Sequence, residues 1–190
     1  MRYYTHRQKN IDDIQKNSIK SLTIKRVPWL VLGMFGGVLA AKIIGSYESV
    51  LSQNIELAAF IPLIVYMGDA VGTQIEAFAI RDLSLNDKLD LKKYFFKQLA
   101  VIFNIAIIVG IIMFIYAMTT QADIKLAIVI SASLFFAMMS SITTGMLIPF
   151  VIFKEFKLDP ADASGPIATI LQDLLSVLIY FSLAQYLLNM

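Results

Sequence analysis

The chain contains no cysteine and a single histidine, His6. Disulfide scaffolds, thiolate chemistry, Cys/His zinc clusters and HExxH-type sites are therefore excluded, and so is a Ser-His-Asp hydrolase centred in the apolar part of the chain. Charge is scarce as well: 16% of the residues are charged, against roughly 25% in soluble domains. What fills the space is apolar. Hydrophobic residues make up 58% of the 190, and the mean hydropathy is +0.72. One core of this size cannot hide that much apolar surface from water, so water is excluded as the sole solvent.

Crossing about 30 Å of hydrocarbon takes roughly 20 apolar residues in a helix. Five runs are long enough: about Pro28–Ser46, Leu57–Ile80, Phe95–Met118, Leu126–Phe153 and Ala163–Asn189. Barrel strands would be half as long and would alternate strictly. The sequence predicts an all-α, multi-pass membrane protein with five transmembrane helices. Residues 1–26 form a cytoplasmic basic segment and residues 27–190 the five-helix membrane domain. Its lipid is the plasma membrane.

Orientation follows from the basic residues beside the spans. Arg2, Arg7, Lys9, Lys16, Lys20, Lys25 and Arg26 precede the first span. Arg81, Lys88, Lys92, Lys93, Lys97, Lys154 and Lys157 lie in the loops on that same side. Lys125 and the intramembrane Lys42 are the exceptions. The N-terminus is thus expected in the cytoplasm and the C-terminus outside. The first 26 residues are too charged for a cleaved signal peptide. Asn10, Asp12 and Asp13 look like a helix start, with Ile11, Ile14 and Leu22 on one side. An interfacial helix and a flexible basic tail are both compatible with that segment.

Three acids fall where acids are expensive. Asp69 and Glu76 lie inside the second run and Asp173 inside the fifth. A carboxylate at mid-bilayer costs several kcal/mol, so such residues face a polar interior and mark ion pathways. Helical spacing puts Asp69, Thr73 and Glu76 on one face, among Gly68, Ala70 and Gly72. The same spacing groups Asp162, Pro166, Thr169, Asp173, Ser176 and Tyr180. Pro62 and Pro166 free backbone carbonyls. Oxygen ligands without imidazole or thiolate suit Mg2+, Mn2+ or Ca2+. Two other readings stand beside this one. The acids could be protonated, as in a proton-coupled carrier, or serve structure, with Lys42 able to pair one of them.

Other features read as packing: Gly33, Gly36 and Gly37 as close helix contacts, and Phe135, Phe136, Met138 and Met139 as packing or lipid-facing residues. Asp82, Asp87 and Asp90 are mixed with lysines and read as solvated charge. The basic residues are explained by topology, so no nucleic-acid partner is indicated. Neither a nucleophile–base pair nor a zinc-ligand set is present in the spans, which argues against an enzyme.

Two segments carry a resemblance. The first is Pro62 followed by Met67-Gly68-Asp69-Ala70-Val71-Gly72-Thr73-Gln74 and Arg81-Asp82-Leu83. The second comprises Gly145, Pro149, the run Asp159-Pro160-Ala161-Asp162-Ala163-Ser164-Gly165-Pro166, then Thr169, Asp173 and Tyr180-Phe181. Together they resemble the membrane domain of the MgtE-type magnesium transporters, over about residues 27–189. The resemblance implies a homodimer with its pore at the dimer interface, lined by spans two and five and conducting divalent cations, Mg2+ first. It implies that Asp173 is the central pore carboxylate from each subunit and that the Thr169 carbonyl faces the ion. Asp69, Thr73, Glu76 and Asp162 complete the candidate metal-binding set. Ala70 replaces the family's asparagine, Asp69 a glycine, and Gly165 stands where an asparagine can occur. Asp162 and Glu76 replace apolar residues, which makes this pore more anionic. Family members commonly carry cytosolic sensor domains, including a CBS pair, ahead of the membrane part. Only 26 residues stand there here, so a minimal transporter or a separate regulatory subunit is expected. The alternatives are a Na+- or H+-coupled divalent cation exchanger and a non-transporting metal-binding subunit.

Overall fold

The computed structural model describes residues 17–85, 90–121, 123–152 and 160–188. Helix α1 spans Ile19–Ser46, the short α2 Glu48–Gln53, α3 Glu56–Leu85, α4 Leu91–Gln121 and α5 Ile124–Ile142. A π-helical turn, Thr143–Leu147, leads into α6, Ile148–Val151, and α7 is Pro160–Leu187. Five stretches are long and apolar enough to cross a membrane: Ile19–Ser46, Glu56–Leu83, Leu91–Thr120, Ile124–Val151 and Ser164–Leu187. The all-helical class and the five spans agree with the sequence. The basic N-terminal segment through Lys16, with the proposed interfacial helix around Ile11 and Ile14, lies outside the described residues.

Local chemistry sets the helix starts. Ser18 caps α1 by accepting from the Ser21 amide at 3.2 Å, and Asp90 accepts from the Lys93 amide at 3.1 Å ahead of α4. Asp123 caps α5 through the Lys125 amide at 2.8 Å. Thus Asp90, read as solvated charge, has a capping role, while Asp82 pairs with Arg81 at 3.0 Å. Proline opens α7, a position where its missing N–H leaves no helical bond unmade. The first span begins nine residues before the sequence boundary at Pro28, because a proline inside α1 does not end it. Within a bilayer a freed carbonyl is tolerated where other groups can satisfy it.

The fourth span is not one continuous α-helix. Pro149 has no N–H to offer the Gly145 carbonyl one turn back, and the helix widens to a π turn just there. That turn packs against α3, as does α5. Helices α3, α5 and α7 form the centre of the bundle; α4 packs on α5 and α1 on α7. The apolar side chains of α1 and α4 stay largely exposed, as a lipid-facing helix requires. Phe135 packs edge-to-face on Phe103 and Phe136, and Met138 is fully buried.

Small residues set how closely the central helices meet. A Cβ on Gly145 would collide with the Gly72 carbonyl and lie 3.0 Å from the Ile75 Cβ. On Gly68 it would meet Ser176 Oγ at 2.6 Å and Gln172 Nε2 at 2.8 Å. In α1 the outcome differs from the sequence reading: of Gly33, Gly36 and Gly37, only Gly36 is a close contact, against Ile170, while Gly33 and Gly37 have open space. Gly36 faces Ile170 of α7, whereas Gly33 and Gly37 face the cleft beside that contact. We predict that Gly145→Ala destabilises the bundle by about 1–3 kcal/mol, the usual range for overpacking, whereas Gly33→Ala leaves stability unchanged. Thermal unfolding of both variants in detergent checks this.

Candidate metal centre

Pairs of touching residues define how α3 and α7 run. Leu57 meets Tyr180, Gly68 lies against Gln172 and Ser176, and Glu76 meets Ser164. As numbers rise on α3 they fall on α7, so the two helices are antiparallel. This registers the acids against one another. The Asp69 carboxylate lies within electrostatic range of both Asp173, across on α7, and Glu76, seven residues on along α3. Seven residues of helix span roughly 10 Å. The structure thus brings Asp69, Glu76 and Asp173 into one line along the α3–α7 seam.

Each acid sits differently in that line. Glu76 is buried, 8% exposed, and accepts a hydrogen bond from the Ser164 hydroxyl. Asp69 and Asp173 are half-buried. Asp173 opens onto a cleft of about 410 Å3 between α1 and α7, lined by Leu30, Gly33, Gly37, Pro166, Thr169, Ile170 and Asp173. The open glycines of α1 face this cleft. Thr169 stands one turn before Asp173 on the same wall, and Thr73 is exposed on α3. Asp162 lies on the first turn of α7, with its side chain outside the described residues. Among the described residues no three acids converge on one point within the protomer.

Two members of the α7 face are not where helical spacing alone puts them. Ser176 and Tyr180 are buried, at 0% and 1% exposure, and turn into the bundle. Ser176 accepts from Gln172, and the Tyr180 hydroxyl donates to the Leu57 carbonyl at 2.8 Å. Phe181 stacks on Tyr47 with ring centroids 4.8 Å apart. These contacts hold the far half of α7 against the starts of α2 and α3. A face spaced at three and four residues drifts around the helix, so its far end reaches the bundle core while Thr169 and Asp173 remain at the cleft.

Ser164, which the sequence showed only as part of the family-like run, and Gln172, which it did not single out, adjoin the acids. Ser164 supports Glu76. Gln172, adjacent to Asp173, is 1% exposed and bonds to three elements. No periodicity could have separated Gln172 from the polar surface residues of other helices. Its neighbour Asp173 and the glycine opposite it, Gly68, were the available signals.

Comparisons with known proteins bear on the family of the chain. The family described as "MgtE: Divalent cation transporter" matches residues 61–183, a segment that contains Asp69, Thr73, Glu76, Asp162, Thr169 and Asp173. The chain is 35% identical over 162 residues to the magnesium transporter MgtE of Bacillus subtilis (strain 168), covering 84% of this chain and 36% of that protein. Against the magnesium transporter MgtE of Enterococcus faecalis it is 34% identical over 177 residues, 92% of this chain and 39% of the relative. For the protein of that name from Thermus thermophilus the identity is 29% over 174 residues, 89% and 38% of the two chains. The chain therefore spans less than two fifths of the length of these relatives.

The Glu76–Ser164 bond yields a direct check. Ser164→Ala takes from the buried Glu76 carboxyl the hydroxyl that donates to it, so we predict a loss of about 1–3 kcal/mol. Glu76→Gln keeps an acceptor for the hydroxyl and costs less. Thermal unfolding of the two variants, compared in the same detergent, gives the order.

Proposed function

Because the chain belongs to the MgtE family of divalent cation transporters, we propose that it moves divalent cations, Mg2+ foremost, across the plasma membrane through a carboxylate-lined pore. The observation that carries this reading is the line of Asp69, Glu76 and Asp173 along the α3–α7 seam, in spans otherwise almost free of charge. Carboxylates kept in hydrocarbon at such expense are used to attract and pass cations. Oxygen donors alone favour a hard divalent ion over a transition metal.

The working unit in this proposal is a homodimer. One protomer presents Asp173 at an open cleft, with Asp69 the nearby acid across the seam and, among the described residues, no three acids converging on one point. A second copy related by a twofold axis would bring a second Asp173 to the same cation. Two facing carboxylates repel each other unless a cation lies between them, so the empty pore favours ion entry. Mg2+ gives up its water reluctantly and is held through one or two carboxylates plus its own hydration shell. Asp173 from each subunit would bind it, with the Thr169 carbonyl and the Asp69 carboxylate contacting coordinated water. Glu76 and Asp162 would extend the negative field towards the cytoplasmic mouth, with the Thr73 hydroxyl as a neutral oxygen ligand. The arrangement requires the N-terminus inside, residues 1–26 as the cytoplasmic segment and residues 27–190 as the transport domain. Regulation would come from a separate subunit or from sequence beyond this domain. The role is transport, not catalysis.

Flux into proteoliposomes tests the reading, with Mg2+, Mn2+, Ca2+ and Na+ compared with and without a proton gradient. Divalent flux that follows the metal gradient supports a pore. If no divalent cation moves under any gradient, the proposal fails. We predict that Asp173→Asn, which keeps the volume and removes the charge, leaves folding and dimerisation intact but lowers Mg2+ flux by roughly 100-fold, the scale of a lost electrostatic contact at a reacting centre. Asp69→Asn has a smaller effect, because it acts through the hydration shell. Equal flux in Asp173→Asn and the unmodified protein would place the site on α3 instead.

A further inference from the structure

Behind the acids lies a buried polar knot centred on Gln172. Its Nε2 donates to the Ala137 carbonyl at 3.0 Å and lies 3.1 Å from both Ser140 Oγ and Ser176 Oγ. Its Oε1 accepts from the Thr144 hydroxyl at 2.8 Å. The Ala137 carbonyl can only accept, so the amide nitrogen must face it, and the orientation of the amide is determined by its surroundings. Gly68 closes the third side, where a Cβ would lie too close to Ser176 and Gln172 for a side chain to fit. One amide thus joins α7 to α5, to the π turn and, through contact, to α3.

On α5 and the π turn, the hydroxyls of Ser140 and Thr144 do not depend on Gln172 to be satisfied, whereas Ser176 on α7 is bonded to the amide. Ser140 also donates to the Ala137 carbonyl at 2.8 Å, and Thr144 is within 3.2 Å of the Ser141 carbonyl. Helix α5 and its π turn can therefore close their own bonds without the amide. What the amide adds is a link from α7 to a neighbour, at the residue directly before Asp173. The π turn matters because it carries both Thr144, which meets the amide, and Gly145, which lies on the Gly72 backbone. The same turn thereby holds both walls of the seam that carries the acids.

We propose that Gln172 is a positioning residue for Asp173: locked by Thr144 and the Ala137 carbonyl, it sets the rotation of α7 about its axis and so the placement of the Asp173 carboxylate relative to Asp69. This rests on the transport reading insofar as Asp173 is taken as the pore ligand. Partners that orient a metal ligand without touching the metal are worth about 10–100-fold in affinity or activity. Interhelical polar bonds inside membranes contribute only modestly to stability, so removing this one should alter the site more than the fold.

The test uses Gln172→Leu, which keeps length without polarity, and the pair Thr144→Val and Thr144→Ser. Each purified protein is measured for melting temperature without metal, for the Mg2+ concentration giving half-maximal thermal stabilisation, and for Mg2+ and Ca2+ flux in proteoliposomes. We expect Gln172→Leu and Thr144→Val to raise the half-maximal Mg2+ concentration by roughly tenfold and to shift the Mg2+:Ca2+ flux ratio, with Thr144→Ser close to the unmodified protein. Should Gln172→Leu fail to fold, the Thr144 pair decides alone. If the variants melt lower without metal yet bind and select Mg2+ like the unmodified protein, the knot is structural and the proposal is overturned. If the unmodified protein carries no divalent cation, the transport reading fails instead, and the Mg2+-dependent stabilisation still decides the positioning role.

Discussion

The close antiparallel contact of α3 with α7 is the constraint on which the rest of this bundle depends. It exists because Gly68 presents backbone to Gln172 and Ser176 where another residue would present a side chain, as Gly145 does to Gly72 at the π turn. Between apolar helices in lipid there is no hydrophobic drive to associate, so packing and polar bonds must supply it. The glycines provide the first and Gln172, Thr144, Ser140 and Ser176 the second. At the far end the Tyr180 hydroxyl and the stacked Tyr47–Phe181 rings fasten the same pair of helices.

That contact also determines where the acids can be. An antiparallel register lines Asp69 up with Asp173 and carries Glu76 towards the start of α7, where Ser164 meets it. One side of α7 is therefore committed to the bundle through Gln172 and Ser176, and the adjacent side carries Thr169 and Asp173 to the cleft against α1. The site and the packing share a single helix, about a quarter turn apart. A change in how α7 is held is felt at Asp173 because the two roles belong to neighbouring residues.

The π turn links these features to a single covalent fact, the missing N–H of Pro149. An uninterrupted α-helix through Thr143–Leu147 would present a different set of side chains to α3 and α7. The widened turn instead brings Thr144 to the buried amide and Gly145 against Gly72. Gly145 and Pro149 were visible in the sequence as part of the family resemblance, but their joint effect on helix form was not.

Composition and run length alone determined that this chain is helical and has five spans, because a bilayer demands roughly 20 apolar residues per crossing and full internal hydrogen bonding. They also singled out Asp69, Glu76 and Asp173, since a carboxylate in an apolar run needs no fold to be conspicuous. Periodicity was less reliable for direction: it grouped Ser176 and Tyr180 with Asp173, and took Gly33 and Gly37 for packing residues. Helical spacing defines which residues share a face, whereas the angle of that face to its neighbours is set by contacts between segments far apart in the chain. Gln172 with Thr144, Glu76 with Ser164 and Tyr180 with Leu57 are separated by 28, 88 and 123 residues. Only the tertiary structure could decide these pairs, because the rotation and register of each helix depend on all its neighbours at once.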